Sequence, residues 1–130
     1  MANRKMLTAA NIRYLLTVKE LDRDGRGARC TDVALALGLT RPSVHNMMKT
    51  LIELGLICKD AYGAACMTVA GEQTAARYGR YFRSVHALLT RGFPESDALT
   101  SAACALLSEL PEAELEGFCV RAESAGTVTG

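Results

Sequence analysis

From Thr8 onward, apolar residues recur at helical spacing, Ile12, Leu15, Leu16, Val18 and Leu21, with polar residues between them. The spacing predicts an amphipathic helix capped by Thr8 and closed by the turn-rich run Asp22-Arg23-Asp24-Gly25-Arg26-Gly27. A short apolar stretch, Val33 to Leu37, follows behind Thr31 or Asp32 as cap and stops at Gly38. Thr40 then caps a third segment with Pro42 in its first turn, where a missing amide hydrogen costs nothing. Val44, Met48, Leu51 and Ile52 line one face of it as far as Gly55. A short helix, a tight turn and a longer helix make a helix-turn-helix.

The period then changes. Leu56-Ile57-Cys58-Lys59 and Ala65-Cys66-Met67-Thr68-Val69 flank the turn-forming Asp60-Ala61-Tyr62-Gly63-Ala64, which predicts a β-hairpin placed as a wing behind the second helix of the motif. With the turn centred on Tyr62, Cys58 and Cys66 fall opposite each other on one face, at a separation that oxidation can bridge. A long helix is expected from Gly71 to about Arg91, carrying Arg77, Arg80 and Arg83 and broken by Gly92-Phe93-Pro94. Ser96 caps a helix running to about Leu110. Its small residues Ala98, Ser101, Ala102, Ala103, Cys104 and Ala105 suit close packing against a neighbour or a second subunit. Pro111 starts a last helix, Glu112 to about Arg121, and Ala122 to Gly130 reads as a frayed tail. The fold class is mostly α: a winged helix-turn-helix over 1–73, dimerisation helices over 74–121 and a flexible tail over 122–130.

A chain of 130 residues, 49% hydrophobic and 22% charged, has room for one domain or a small domain with an appendage, and its composition is that of a folded protein. There is no apolar run of membrane-spanning length, and Met1-Ala2-Asn3-Arg4-Lys5 leads into an amphipathic stretch rather than a signal-peptide core, so a soluble, cytoplasmic protein is expected. Five cysteines, Cys30, Cys58, Cys66, Cys104 and Cys119, include no C-x-x-C pair, which speaks against a zinc knuckle or a secreted disulfide framework. Two histidines, His45 and His86, and the lack of a G-x-S-x-G or phosphate-loop motif leave no catalytic constellation, and no enzyme is expected. The formal charge of +1 is unevenly spread: residues 1–83 hold 13 Lys/Arg against 7 Asp/Glu, whereas residues 84–130 hold 2 against 7. The split suggests that the N-terminal part faces a polyanion.

A helix-turn-helix presents the start of its second helix to the major groove. The side chains expected there are Thr40, Arg41, Pro42, Ser43, His45, Asn46 and Lys49, with Lys59 on the wing. Arg41 suits guanine, Asn46 adenine and Pro42 a thymine methyl. Thr40, Ser43 and the helix terminus suit a phosphate, and Lys49 and Lys59 suit the backbone. One such unit makes few contacts, so a homodimer on double-stranded DNA is expected. The alternative is a winged-helix protein-interaction module that does not bind DNA, favoured by a wing with one basic residue.

The segments LTAANIRYLLTVKEL, TDVALALGLTRPSVHNMMKTLIELGLI and YGAACMTVAGE resemble the winged helix of the diphtheria-toxin-repressor and manganese-transport-regulator family of bacterial iron- or manganese-dependent repressors. The resemblance is densest over residues 7–72 and continues more weakly to about 120, where that family has dimerisation helices. It implies a repressor on a pseudo-palindromic operator and, as ligand, Mn(II) or Fe(II). The length is similar to the shorter manganese-regulator architecture, without an SH3-like third domain. The family's metal positions are where the chain departs. Arg13 stands before Tyr14 where members carry a carboxylate or Met, and Phe82 stands at a histidine position, with His86 one turn on. Cys104 matches a ligand cysteine, but the Glu-His pair after it becomes Leu107-Ser108. The set Cys104, His86 and Glu109 is too thin for a first-row divalent ion. No residue is therefore assigned to a metal, and no cofactor is expected beyond what the resemblance implies.

Overall fold

Threonine and serine hydroxyls set where most helices begin. The computed structural model describes residues 7–22 and 25–126, within which α1 spans Ala9–Leu21. Its start is a reciprocal cap: the Thr8 hydroxyl accepts from the Asn11 N–H at 3.0 Å while the Thr8 N–H donates to Asn11 Oδ1 at 3.1 Å. Helix α2 (Cys30–Leu37) begins earlier than expected. Arg29, not Thr31 or Asp32, is its N-cap, with no side-chain hydrogen bond, because the preceding residue Ala28 is already fixed by backbone pairing to Ala65. It closes at Gly38 in the left-handed region, φ 67°, a conformation that glycine adopts without a Cβ penalty. Helix α3 (Arg41–Glu53) is capped by Thr40 with Pro42 in the first turn, as its spacing predicts.

The wing is shorter than the apolar runs suggest. Strands β1 (Ile57–Lys59) and β2 (Ala65–Met67) pair antiparallel with Cys58 opposite Cys66. A third rung joins β2 to the loop after α1: Ala28 and Ala65 exchange two 2.8 Å backbone hydrogen bonds. Val69, expected at a strand end, instead opens α4 (Val69–Leu89). The cause is Thr68, whose hydroxyl donates to Gly55 O at 2.7 Å and accepts from the Gly71 N–H at 2.9 Å.

Helix α5 (Asp97–Glu109) is capped by Ser96, whose hydroxyl accepts from the Leu99 N–H at 3.1 Å. Helix α6 (Glu112–Ser124) runs past the expected end at Arg121. Residues 122–124 are not frayed, because Ala122 is buried on the same face as Leu115 and Cys119; residues 127–130 lie outside the described residues.

The described chain forms two units, with the divisions falling inside α1 and α4. One is Arg13–Ala76; the other comprises the described parts of Met1–Ile12 and Arg77–Gly130. The first has a core of Tyr14, Leu15, Val18, Val33, Val44, Met48, Leu51, Ile57 and Ala65, all buried, with α2 on α3 and α3 on β1. The second buries Tyr78, Tyr81, Val85, Leu99, Ala103, Cys104, Leu107, Leu115 and Cys119. No helix among the described residues is long and apolar enough to cross a membrane.

Candidate nucleic-acid interface

Burial of Val44, Met48 and Leu51 fixes the rotation of α3. At about 100° per residue, the direction opposite that apolar stripe carries Pro42, Asn46, Lys49 and Glu53, with His45 on one flank and Ser43 and Thr50 on the other. The expected set Thr40, Arg41, Pro42, Ser43, His45, Asn46 and Lys49 is exposed throughout. Two of these side chains also hold the helix start together. The Thr40 hydroxyl accepts from the Ser43 N–H at 3.3 Å and donates to Ser43 Oγ at 3.0 Å. Lys59, on β1, is exposed beside the wing turn.

That turn is built by Asp60, whose Oδ1 accepts from the N–H groups of Tyr62 at 2.8 Å and Ala64 at 2.9 Å. It leaves Tyr62 at the tip, 94% exposed. Tyr62 marks the turn centre in the sequence, but only the folded hairpin shows an aromatic ring standing free at the tip. Arg26 and Arg29 are also exposed, on either side of Ala28 in the rung against β2. They bring two cations to the wing sheet that a reading of the α1–α2 connection as a plain turn misses. The signal was the pair of basic residues flanking Gly27-Ala28, inside a loop rich in turn formers.

The charge split along the sequence takes a different meaning in the fold. Arg77 and Arg80 are counted in the basic N-terminal part, yet both are turned to carboxylates of the acidic part. Arg80 bonds Glu116 at 2.7 Å and Glu123 at 2.9 Å, and Arg77 bonds Glu112 at 3.0 Å. Tyr81 donates its hydroxyl to Glu112 at 2.9 Å. The hydrogen bonds from Arg80 hold the Glu123 carboxyl below its ordinary range. Much of the apparent asymmetry is thus internal pairing between α4 and α6. The unit Arg13–Ala76 holds 8 Lys/Arg against 7 Asp/Glu, a net of +1, so its cations matter by position rather than by excess.

The metal positions implied by the resemblance do not assemble. Among the described residues no three His, Cys, Asp or Glu groups stand close enough to hold an ion. His86 stacks on Phe82, ring centres 5.2 Å apart, and contacts Glu95 at 2.6 Å. Cys104 is buried, and Arg13 keeps a cation beside Tyr14. This donor set does not fit a first-row divalent ion.

Residues 20–61 match the family model for the IclR helix-turn-helix domain, the stretch from the end of α1 to the start of the wing turn. No curated protein matches the sequence. Among solved structures, a hypothetical protein from Sulfolobus solfataricus is similar at 22% identity and TM-score 0.63, covering 86% of each chain. IdeR of T. acidophilum is similar at 23% identity and TM-score 0.65 over 92% of this chain, and the manganese regulator SloR at 19% and 0.72 over 87%. The chain spans 55% of the IdeR chain and 53% of the SloR chain. At these identities the likeness shows the fold: a winged helix-turn-helix followed by further helices.

Proposed function

We propose that this protein is a DNA-binding transcriptional regulator, a repressor that occupies a pseudo-palindromic operator as a homodimer in the cytoplasm. The reading is supported above all by α3. Its exposed face offers Pro42, Asn46 and Lys49 in line, flanked by His45 and Ser43, on a helix whose start is capped by Thr40. Asn46 has the amide that pairs with adenine in the major groove, and Arg41 at the first helical position suits guanine. Lys49, Lys59, Arg26 and Arg29 serve as phosphate contacts that set register. The dimer is supported by the second unit, where α5 leaves Ala98, Ser101, Ala102 and Ala105 exposed. A groove of about 520 Å³ there is lined mostly by apolar residues, among them Leu88, Leu106, Leu110 and Phe118. On this reading regulation needs no resident metal, which is supported by Arg13, Phe82 and Leu107-Ser108 standing at the family's ligand positions and by the lack of a three-donor group among the described residues.

The near-neutral charge of Arg13–Ala76 favours a second reading, a protein-interaction module. Selection from a random duplex library, followed by gel shift of the enriched sequence, separates the two. The DNA reading expects an inverted repeat with half-sites about 10 bp apart, bound more weakly as salt rises. Asn46→Ala should relax preference at one base position by about 1–3 kcal/mol, whereas Lys49→Ala should weaken all sequences alike and reduce the salt slope by about 1. Failure to enrich any sequence at low salt, with the protein folded by circular dichroism, overturns the DNA reading in favour of the module.

A further inference from the structure

The wing carries two thiols directly across one antiparallel ladder, Cys58 on β1 and Cys66 on β2. Backbone bonds run from the Asp60 N–H to Ala64 O at 2.9 Å and from the Thr68 N–H to Leu56 O at 3.2 Å. These bonded pairs stand two residues to either side of Cys58/Cys66. The alternation of an antiparallel ladder therefore makes Cys58 and Cys66 a hydrogen-bonded pair too, with Cα atoms about 5.5 Å apart. That separation lies inside the Cα window of about 4.4–6.8 Å in which a disulfide closes. The Cβ atoms of a directly opposed pair, about 4.5–5.5 Å apart, must draw together to about 3.5–4.5 Å, so the bond forms under strain and is readily reduced. The flanking residues Ile57 and Ala65 face the core, 2% and 0% exposed, so the pleat turns both thiols to the opposite face. Cys58 is exposed there and Cys66 half-buried, and both are free. The Cys66 thiol is pushed up, first by burial and then by the charges of Asp60, Cys58 and Asp22. The accessible member, Cys58, is thus the one to meet an oxidant first, with Cys66 behind it.

We propose that Cys58 and Cys66 form a dithiol site on the wing that a hydroperoxide converts to an intramolecular disulfide. The Cys58 thiolate attacks the peroxide, forming an S–O bond and breaking the O–O bond. For hydrogen peroxide, the departing oxygen leaves as water and Cys58 becomes a sulfenic acid. The Cys66 sulfur then attacks the Cys58 sulfur, forming S–S and breaking S–O, and a second water leaves. Two thiols lose two electrons and two protons in all, and one hydrogen peroxide becomes two waters. The product ties β1 to β2 beside Lys59 and is reopened by a thiol reductant. This chemistry does not depend on whether α3 reads DNA.

The test uses the full reduced chain, treated with hydrogen peroxide while folded, alkylated and digested with trypsin. Cleavage after Lys59 places the cysteines on separate peptides, 50–59 and 60–77. The expected result is a linked 50–59/60–77 species as the dominant product, abolished by dithiothreitol and absent in Cys58→Ser and Cys66→Ser. It should persist in Cys30→Ser, with Cys104 and Cys119 alkylated as before. Free Cys58 and Cys66 in the treated wild-type protein overturn the proposal. So does Cys58 advancing to the sulfinic acid with Cys66 still alkylatable, or a linkage that forms only after unfolding in urea.

Discussion

A Cβ built on Gly71 would stand 1.8 Å from the carbonyl oxygen of Leu56 and 2.9 Å from its carbonyl carbon. Backbone cannot yield as a flexible side chain does, so Gly71→Ala should lower stability by about 3 kcal/mol, read as a shift in the urea midpoint. Gly92→Ala is the control, since nothing lies within 4 Å of its Cβ position. An unchanged midpoint for Gly71→Ala would mean that the first turn of α4 moves away from Leu56 at no cost. Tyr14 offers the opposite case. Its hydroxyl is buried with no hydrogen-bond partner among the described residues, and burial, followed by the nearby Cys30, pushes its pKa up. Tyr14→Phe should therefore be neutral or stabilising by about 1 kcal/mol, and a clear loss in the same titration would reveal a bond to that hydroxyl. Neither fact was legible along the chain. Gly71 reads as a helix start and Tyr14 only as the neighbour of Arg13 in the family resemblance, while what each one touches depends on residues distant in sequence or on the closed core.

Elements were more legible than contacts. Thr8, Thr40 and Ser96 announce their helices because a hydroxyl cap is a local interaction. The start of α2 was missed because Arg29 acquires its extended backbone beside the non-local rung to Ala65. The extension of α6 to Ser124 was missed because it depends on Ala122 packing inward. Pairing between α4 and α6 leads to an acid-dependence prediction. Glu123 has its carboxyl lowered chiefly by hydrogen bonds from Arg80. Its contribution is complete above the ordinary carboxylate value of about 4.3 and drains away as pH falls through the lowered one. On acidification followed by circular dichroism, Arg80→Gln should lose helical signal at a higher pH than the wild type. Coincident acid transitions would show that the bridge adds nothing. Both groups stand near solvent, so the shift should shrink in high salt.

At the scale of the whole molecule, summed charge proved a poor guide and placed charge a better one. Counting by sequence position made the N-terminal part strongly basic, but Arg77 and Arg80 are paired with Glu112, Glu116 and Glu123, and Arg13–Ala76, which leaves out Arg4, Lys5 and Arg83 as well, stands near neutrality. What remained legible was the exposed row on α3, because helical period alone sets it opposite Val44, Met48 and Leu51. The departures at Arg13, Phe82 and Leu107-Ser108 lead to a test of the whole protein: a chelator should leave its DNA complex intact, and added Mn(II) should change affinity by less than about twofold. A tenfold gain, worth about 1.4 kcal/mol, would mean that a metal site assembles after all. Arg80 gives this expectation a further side. The Arg80 guanidinium is tethered to α4 and does not lose its proton at any pH a cell survives. A latch whose cation is part of the chain is neither loaded nor emptied by an ion from outside, so the pairing of α4 with α6 cannot report the supply of a metal.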